Sequence, residues 1–298
     1  MKRLLADRFS EKFLYVWVIL SGLILILMMG ALFYRSLPIL KLQPLTTLIF
    51  SQAWHPSRGE FGFLAFIVGS LWVTTVAMLI AVPICLLTSI YLVEYSSKML
   101  REIISPFIDI LAGIPSVVYG IWGILIVVPF IRIYLAPLCG TSSSGYSVLA
   151  GGIVLAIMIF PVIIHISMEV FKTVPYELKA ASLALGATKW QTVKHVVMRR
   201  AMPGIVAAMV LGLSRAFGES IAVLMVVGNL ARIPKSVFSP AYPLPALIAN
   251  NYGEMFSIPK YDSALLFAAL LLLLVVLYFN IISRMILSGI KWSNYYYA

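Results

Sequence analysis

Six apolar stretches, each about as long as a bilayer is thick, limit what this chain can fold into. They run roughly Leu14–Tyr34, Leu64–Val93, Ile110–Ile131, Val148–Met168, Ala201–Ala231 and Ser263–Ser283. A helix rises about 1.5 Å per residue, so about 20 apolar residues cross a hydrocarbon core of about 30 Å. A helix also satisfies its own backbone hydrogen bonds where no water is present to do so. With 62% hydrophobic and only 11% charged residues among 298, the chain has too little polar surface for a water-soluble fold. The expected class is an all-α polytopic membrane protein with six transmembrane helices. The first run is too long for a signal-peptide h-region and is followed by no small-residue cleavage site, so it reads as a retained helix.

An even number of spans places both termini on one side. Lys2, Arg3, Arg8 and Lys12 precede the first span, Lys98 and Arg101 lie in the 94–105 loop, six more basic residues lie in 172–200, and Arg284 and Lys291 follow the last span. Fourteen of the 22 Lys and Arg therefore fall on the side of the termini and seven in the opposite loops. The positive-inside rule makes the first side cytoplasmic. This distribution accounts for the net charge of +11 by proximity to anionic headgroups, with no need for nucleic acid.

Catalytic chemistry finds little support. Cys85 falls inside a span and Cys139 in an outer loop, so neither a disulfide nor a metal site is expected. His55, His165 and His195 fall in three different segments. His165 lies within a span, where an ionisable residue is a functional suspect; a packed, hydrogen-bonded ring is the plainer reading. Without a G-x-x-x-x-G-K-[ST] loop, a nucleophile elbow or an H-E-x-x-H pattern, the chain is expected to be non-catalytic and to carry no cofactor.

The largest polar interruption is the basic segment 172–200. Pro175 suits the start of a helix and Gly186 its stop. Between them come Tyr176, Glu177, Leu178, Lys179, Ala180, Ala181, Ser182 and Leu185, and Leu178, Ala181 and Leu185 share one face. Such a helix is either a connector or a docking element.

Ala180-Ala181-Ser182, three further residues and then Gly186 resemble the E-A-A-x-x-x-G loop of binding-protein-dependent ABC importer permeases. The likeness continues through Leu185-Gly186-Ala187-Thr188-Lys189-Trp190, through Leu211-Gly212-Leu213-Ser214-Arg215-Ala216-Phe217-Gly218-Glu219-Ser220, and through Val226-Val227-Gly228-Asn229. Gly113-Ile114-Pro115-Ser116-Val117-Val118-Tyr119-Gly120 also fits, and the whole covers about residues 64–285. Together these segments resemble the phosphate-transport branch, in particular its PstC-type subunit.

The resemblance implies an ABC type-1 permease core with one additional N-terminal helix. Residues 1–60 would carry that helix and an outer loop, 61–290 the permease domain, and 291–298 a tail. It implies alternating-access import of inorganic phosphate across the bacterial inner membrane. The partners it implies are a related permease subunit, two ATPase chains that hydrolyse ATP, and an extracytoplasmic phosphate-binding protein. The segment from Tyr176 to Gly186 would be the coupling element that fits the ATPase. Two departures stand out: Ala180 replaces the family's Glu, and Met198-Arg199 stands where Leu-Pro is expected. Any ion pair to the ATPase would then be absent or come from Glu177 or Lys179.

Arg215 and Glu219 stand four residues apart, so a continuous helix would stack them with Gly212 and Ala222 on one face. They either neutralise each other and lock the helix in place, or Glu219 holds Arg215 in the path of an anion. Gly113, Ser116, Gly120 and Gly123 form a small-residue stripe suited to close packing. Ser116 is alternatively a pathway hydroxyl, and Pro115 a point of kink or break. Asp109 reads as a helix cap. The outer loops, 35–63 and 232–262, are binding-protein contacts or plain connectors. Competing readings are another oxyanion such as sulfate or molybdate, the other phosphate permease subunit, or a membrane sensor or scaffold without transport.

Overall fold

A computed structural model describes residues 2–254 and 260–295 of the chain. The last residues of the expected tail, 296–298, and part of the expected outer loop, 255–259, lie outside the described residues. Helix α1 (Lys2–Leu42) leads to α2 (Leu45–Phe50) and a two-stranded hairpin, β1 (Trp54–His55) with β2 (Glu60–Phe61). Then follow α3 (Leu64–Ile90), α4 (Lys98–Gly113), α5 (Ser116–Trp122), two short turns α6 (Val128–Phe130) and α7 (Ala136–Leu138), and α8 (Val148–Lys172). The chain ends with α9 (Tyr176–Ala184), α10 (Lys189–Thr192), α11 (Met198–Gly218), α12 (Ile221–Val226), α13 (Leu244–Asn251) and α14 (Tyr261–Tyr295). Single π turns join α3 to Tyr95, α5 through α7 into one rod, and α10 to α11.

Among the described residues six helical spans are long and apolar enough to cross a membrane: Lys12–Leu42, Leu64–Tyr95, Ser116–Leu138, Val148–Lys172, Lys189–Gly218 and Tyr261–Ile282. Two of them differ from the sequence reading. The third begins at Ser116, because Ile114 and Pro115 adopt extended backbone (ψ 128° and 144°) and end α4 at Gly113. Proline lacks the N–H that would continue the ladder, and it biases the preceding residue away from helix. The fifth starts at Lys189 and stops at Gly218, so part of the 172–200 segment belongs to a span and 219–231 does not.

The fourth span is the centre: 61% of its apolar window is buried within the chain, against 33% or less for the others. It packs most extensively on α3, where Val73, Ala77, Ala81 and Cys85 repeat every four residues and are all buried. Close approach depends on glycine. A Cβ on Gly152 would stand 2.4 Å from Val76 Cγ1, and one on Gly204 would stand 2.4 Å from Val170 Cγ2. Lipid offers no hydrophobic drive for helix association, so such small-residue contacts and interhelical hydrogen bonds hold the bundle together. Ser89 Oγ supplies one, 3.3 Å from the Ile164 carbonyl.

The outer loops, left open as binding-protein contacts or plain connectors, are folded. Trp54 of the hairpin sets its ring edge-on to Phe61, Phe63 and Phe66 at 5.6, 5.4 and 4.8 Å. Ile39, Leu48, Tyr242, Leu244 and Tyr261 join the same buried cluster. The segment between α12 and α13 also serves α8. Val148 and Leu149 donate their N–H groups to the carbonyls of Ser239 and Val237 at 3.0 and 2.8 Å, and Ala150 N–H reaches Ser147 Oγ at 3.2 Å. A helix start buried without partners would leave these donors orphaned.

Candidate coupling surface and translocation path

Helix α9 carries no buried residue. Pro175, extended at φ −56° and ψ 137°, precedes its first turn. Gly186 ends it at φ +84°, the left-handed conformation that glycine adopts at no steric cost. Ala187 N–H returns to Ser182 O at 3.2 Å and Gly186 N–H to Leu183 O at 3.0 Å. These paired bonds are a Schellman closure. Tyr176 and Leu185 are 75% and 89% exposed, and Glu177, Leu178, Ala181 and Gly186 are exposed with them. Ala180 and Ser182 are half-buried, and Ser182 Oγ meets Thr192 Oγ1 at 2.9 Å.

Lys179 departs from expectation. Its Nζ lies 2.6 Å from Glu94 Oε1, with side chains only 19% and 10% exposed. It therefore faces the bundle, whereas Glu177 makes no ion pair among the described residues. Glu94 itself sits in the π turn that closes the second span. Arg101 caps that turn through Leu92 O and Val93 O at 2.7 and 2.8 Å, and Lys189 Nζ lies 4.6 Å from the Tyr95 ring centroid.

Arg215 and Glu219 do not form the expected pair. Helix α11 stops at Gly218, and Glu219 is extended at φ −76° and ψ 122°. Its Oε1 instead accepts the Ala222 N–H at 3.1 Å, in the first turn of α12. A carboxylate there satisfies an orphan donor and meets the positive end of the helix dipole. No ion pair joins Arg215 to a carboxylate among the described residues. Arg215 is exposed on the face of α11, within electrostatic range of Tyr119, whose hydroxyl donates to Leu111 O at 2.7 Å.

The small-residue stripe of the third span divides at the Ile114–Pro115 break. Gly120 and Gly123 pack against Met225 and Val226, and Gly113 faces open space. Ser116 is half-buried at the start of α5, which lies beside α12. It makes no hydrogen bond or ion pair with Arg215 or Glu219 among the described residues.

This arrangement is an exposed helix clipped to the bundle, with an unpaired guanidinium at a broken span. It accompanies a sequence match over residues 83–292 to the family described as the binding-protein-dependent transport system inner membrane component. The chain belongs to that family. Among curated relatives of this permease is the "Phosphate transport system permease protein PstC" of Xylella fastidiosa (strain 9a5c), 38% identical over 80% of this chain and 77% of that protein. The PstC of Mesorhizobium japonicum is 35% identical over 92% and 86%. The "Probable ABC transporter permease protein YqgH" of Bacillus subtilis is 41% identical over 68% and 65%. Solved structures share the fold. A bacterial ABC transporter for import of alginate superposes with a TM-score of 0.59 at 17% identity, covering 95% of this chain and 99% of that one. The inward-facing MetNI methionine transporter gives 0.57 at 22%, covering 74% and 93%. The permease is thus a PstC-type member of the family with a type-1 importer core, and its extra N-terminal helix accords with that assignment.

Two further polar contacts in the permease escaped the sequence reading. His165 Nε2 of the fourth span lies 2.9 Å from Asp109 Oδ1 of α4. The approach is off-line for a ring N–H, so it is a close polar contact and not an aligned hydrogen bond. Asp109 is therefore not a helix cap; α4 is capped by Ser97 Oγ, which accepts from Leu100 N–H at 3.3 Å. The Glu94–Lys179 pair spans 85 residues of sequence. Its only sequence signal was an acid ending one apolar run and a base in the polar segment, with nothing local to join them.

Proposed function

We propose that this chain is the PstC-type permease subunit of an ATP-driven importer that carries inorganic phosphate across the bacterial cytoplasmic membrane, with both termini inside. Arg215 carries the reading. It lies in the last turn of α11, three residues before the fifth span stops at Gly218. A charge in a span costs up to about 2.5–3.5 kcal/mol on insertion scales, the figure for a helix centre, and normally faces a bundle interior or a watery path. Glu219 caps α12 and does not neutralise it. A guanidinium that stays charged and offers forked donors suits phosphate oxygens. Ser116 and Glu219 flank the same broken region and are assigned to the path with it.

ATP would be hydrolysed on two separate ATPase chains. A related permease would complete the pathway, and an extracytoplasmic phosphate-binding protein would deliver the anion to the folded outer face. The permease domain would run 61–290. The exposed surface of Tyr176, Glu177, Leu178, Ala181, Leu185 and Gly186 would seat in the ATPase, with Lys179, Ala180 and Ser182 holding its inner side. Closure of the ATPase pair would move α9 and rock the spans, opening the region near Arg215 to the inside.

The test is radiolabelled phosphate and sulfate uptake by phosphate-starved host cells lacking this gene. Wild type should restore phosphate uptake alone, and Arg215→Gln should fail to restore it while still reaching the membrane. Full uptake by Arg215→Gln would remove Arg215 from the path. Rescue of sulfate uptake instead would change the cargo.

A further inference from the structure

The transport reading leaves Met198 and Arg199 unexplained, the two residues that stand where the family resemblance has Leu-Pro. Both line a groove of about 680 Å³ between the second and fifth spans. These spans run antiparallel, so the groove has two chemically different ends. Pro83, Leu87 and Met202 make the end that lies deeper along both helices, and Trp190 and Lys194 make the end towards α9, with Arg199 between. Lys194 and Arg199 are five residues apart, about 7.5 Å along the axis, and both are exposed. Neither has a carboxylate partner among the described residues.

We propose that this groove is a binding site for an anionic phospholipid. An acyl chain lies on Pro83, Leu87 and Met202, and the headgroup phosphate sits between Lys194 and Arg199. Charge complementarity selects this occupant. Two unpaired cations at the rim of an apolar slot in a membrane protein match an amphiphile with a negative head and a hydrocarbon tail. The long Arg199 stem packs along the slot while its head reaches the rim, and Trp190 sits where indole rings favour the headgroup level. A proline at 199 would have supplied neither stem nor charge. The site is independent of the transport reading and stands or falls without it.

The full chain in its native complex, delipidated in mild detergent, is titrated with phosphatidylglycerol or phosphatidylcholine of the same acyl chains and read by native mass spectrometry. Phosphatidylglycerol should bind at least tenfold more tightly. At the usual contribution of one cation near an anionic headgroup, Lys194→Gln and Arg199→Gln should each weaken it about fivefold, and the pair about thirtyfold. Arg199→Lys should retain it, and phosphatidylcholine binding should not change. Both residues are exposed, so unchanged thermal unfolding of the variants in detergent separates site loss from misfolding. Equal binding of the two lipids, or indifference to both substitutions, overturns the proposal. Displacement by millimolar inorganic phosphate makes it a free-anion site. A Leu87→Cys chain that cross-links to another protein in the membrane shows the groove covered by protein, and overturns it too.

Discussion

The Glu94–Lys179 pair offers the sharpest test of how the exposed helix is attached. Removing one partner of a buried ion pair costs about 3–5 kcal/mol because the other charge is stranded. Exposures of 10% and 19% place this pair at the low end, about 3 kcal/mol for Lys179→Met. Glu94 sits on the closing turn of a span and cannot follow its lost partner into water. Glu94→Gln should cost less, about 1 kcal/mol, since the long Lys179 stem lets its ammonium swing outward. About 3 kcal/mol is roughly a 150-fold change in the docked-to-undocked ratio of α9. Hydrogen exchange at the backbone amides of residues 179–185 should therefore speed up by up to that factor in Lys179→Met. The Ser182–Thr192 contact and buried Val174 limit the opening to this helix. The double variant Glu94→Gln/Lys179→Met should recover most of the loss, costing about 1 kcal/mol and giving a coupling of about 3 kcal/mol. If α9 transmits motion from the ATPases, Lys179→Met should lower uptake more than ATP hydrolysis. Exchange rates within threefold of wild type in Lys179→Met, or no recovery in the double variant, would refute the attachment.

Three other outcomes follow from the geometry. Gly186→Ala should destabilise α9 by about 1 kcal/mol, because a Cβ in the left-handed region is strained although the space around it is open; Gly186→Asn should be nearly neutral by the same exchange assay. Gly152→Ala would push a methyl to within 2.4 Å of Val76 Cγ1 and should cost about 1–3 kcal/mol, seen as a lower unfolding temperature in detergent and partly restored by Val76→Ala. Glu219→Ala should cost about 1 kcal/mol of α12 stability by removing the acceptor for Ala222 N–H. Glu219→Gln should retain most of it, measured as exchange protection at Ala222.

Sequence alone carried the bundle, because apolar length is a local quantity. It carried α9 as well: Pro175 and Gly186 bracket the helix, and the Schellman closure forms where glycine stands. It failed where contacts are remote. Lys179 reads as free for a partner until Glu94, 85 residues earlier, is placed beside it. Asp109 reads as a cap until His165 arrives from another span. The fold of the outer loops was not legible because the aromatic cluster around Trp54 draws on β1, β2, α3 and α14, and no single segment is apolar enough to announce it. Arg215 and Glu219 failed for a different reason. Four-residue spacing places two side chains together only in an unbroken helix, and the acid itself ends that condition by turning to cap the next one.

That break bears on function. Irregular backbone inside a membrane is tolerated only where protein or a watery path satisfies it. The permease has three irregular places at or beyond the ends of its spans: Ile114–Pro115, Glu219–Ser220 and Gly228–Asn229. The first is met by a residue that has no N–H to satisfy, the second by the Glu219 carboxylate. The third has two consecutive positive φ values and is closed by Asn229 Nδ2 donating to Leu224 O at 2.8 Å. The first two flank α5 and α12, which pack on each other beside the exposed guanidinium of Arg215. Glu219 turned to cap α12 makes no ion pair with that guanidinium among the described residues, so the local geometry that caps α12 leaves the cation without a carboxylate partner. Glu219→Gln tests it: the amide still caps, no negative charge remains, and phosphate uptake should persist if the unpaired Arg215, and not an Arg–Glu pair, is what the anion meets.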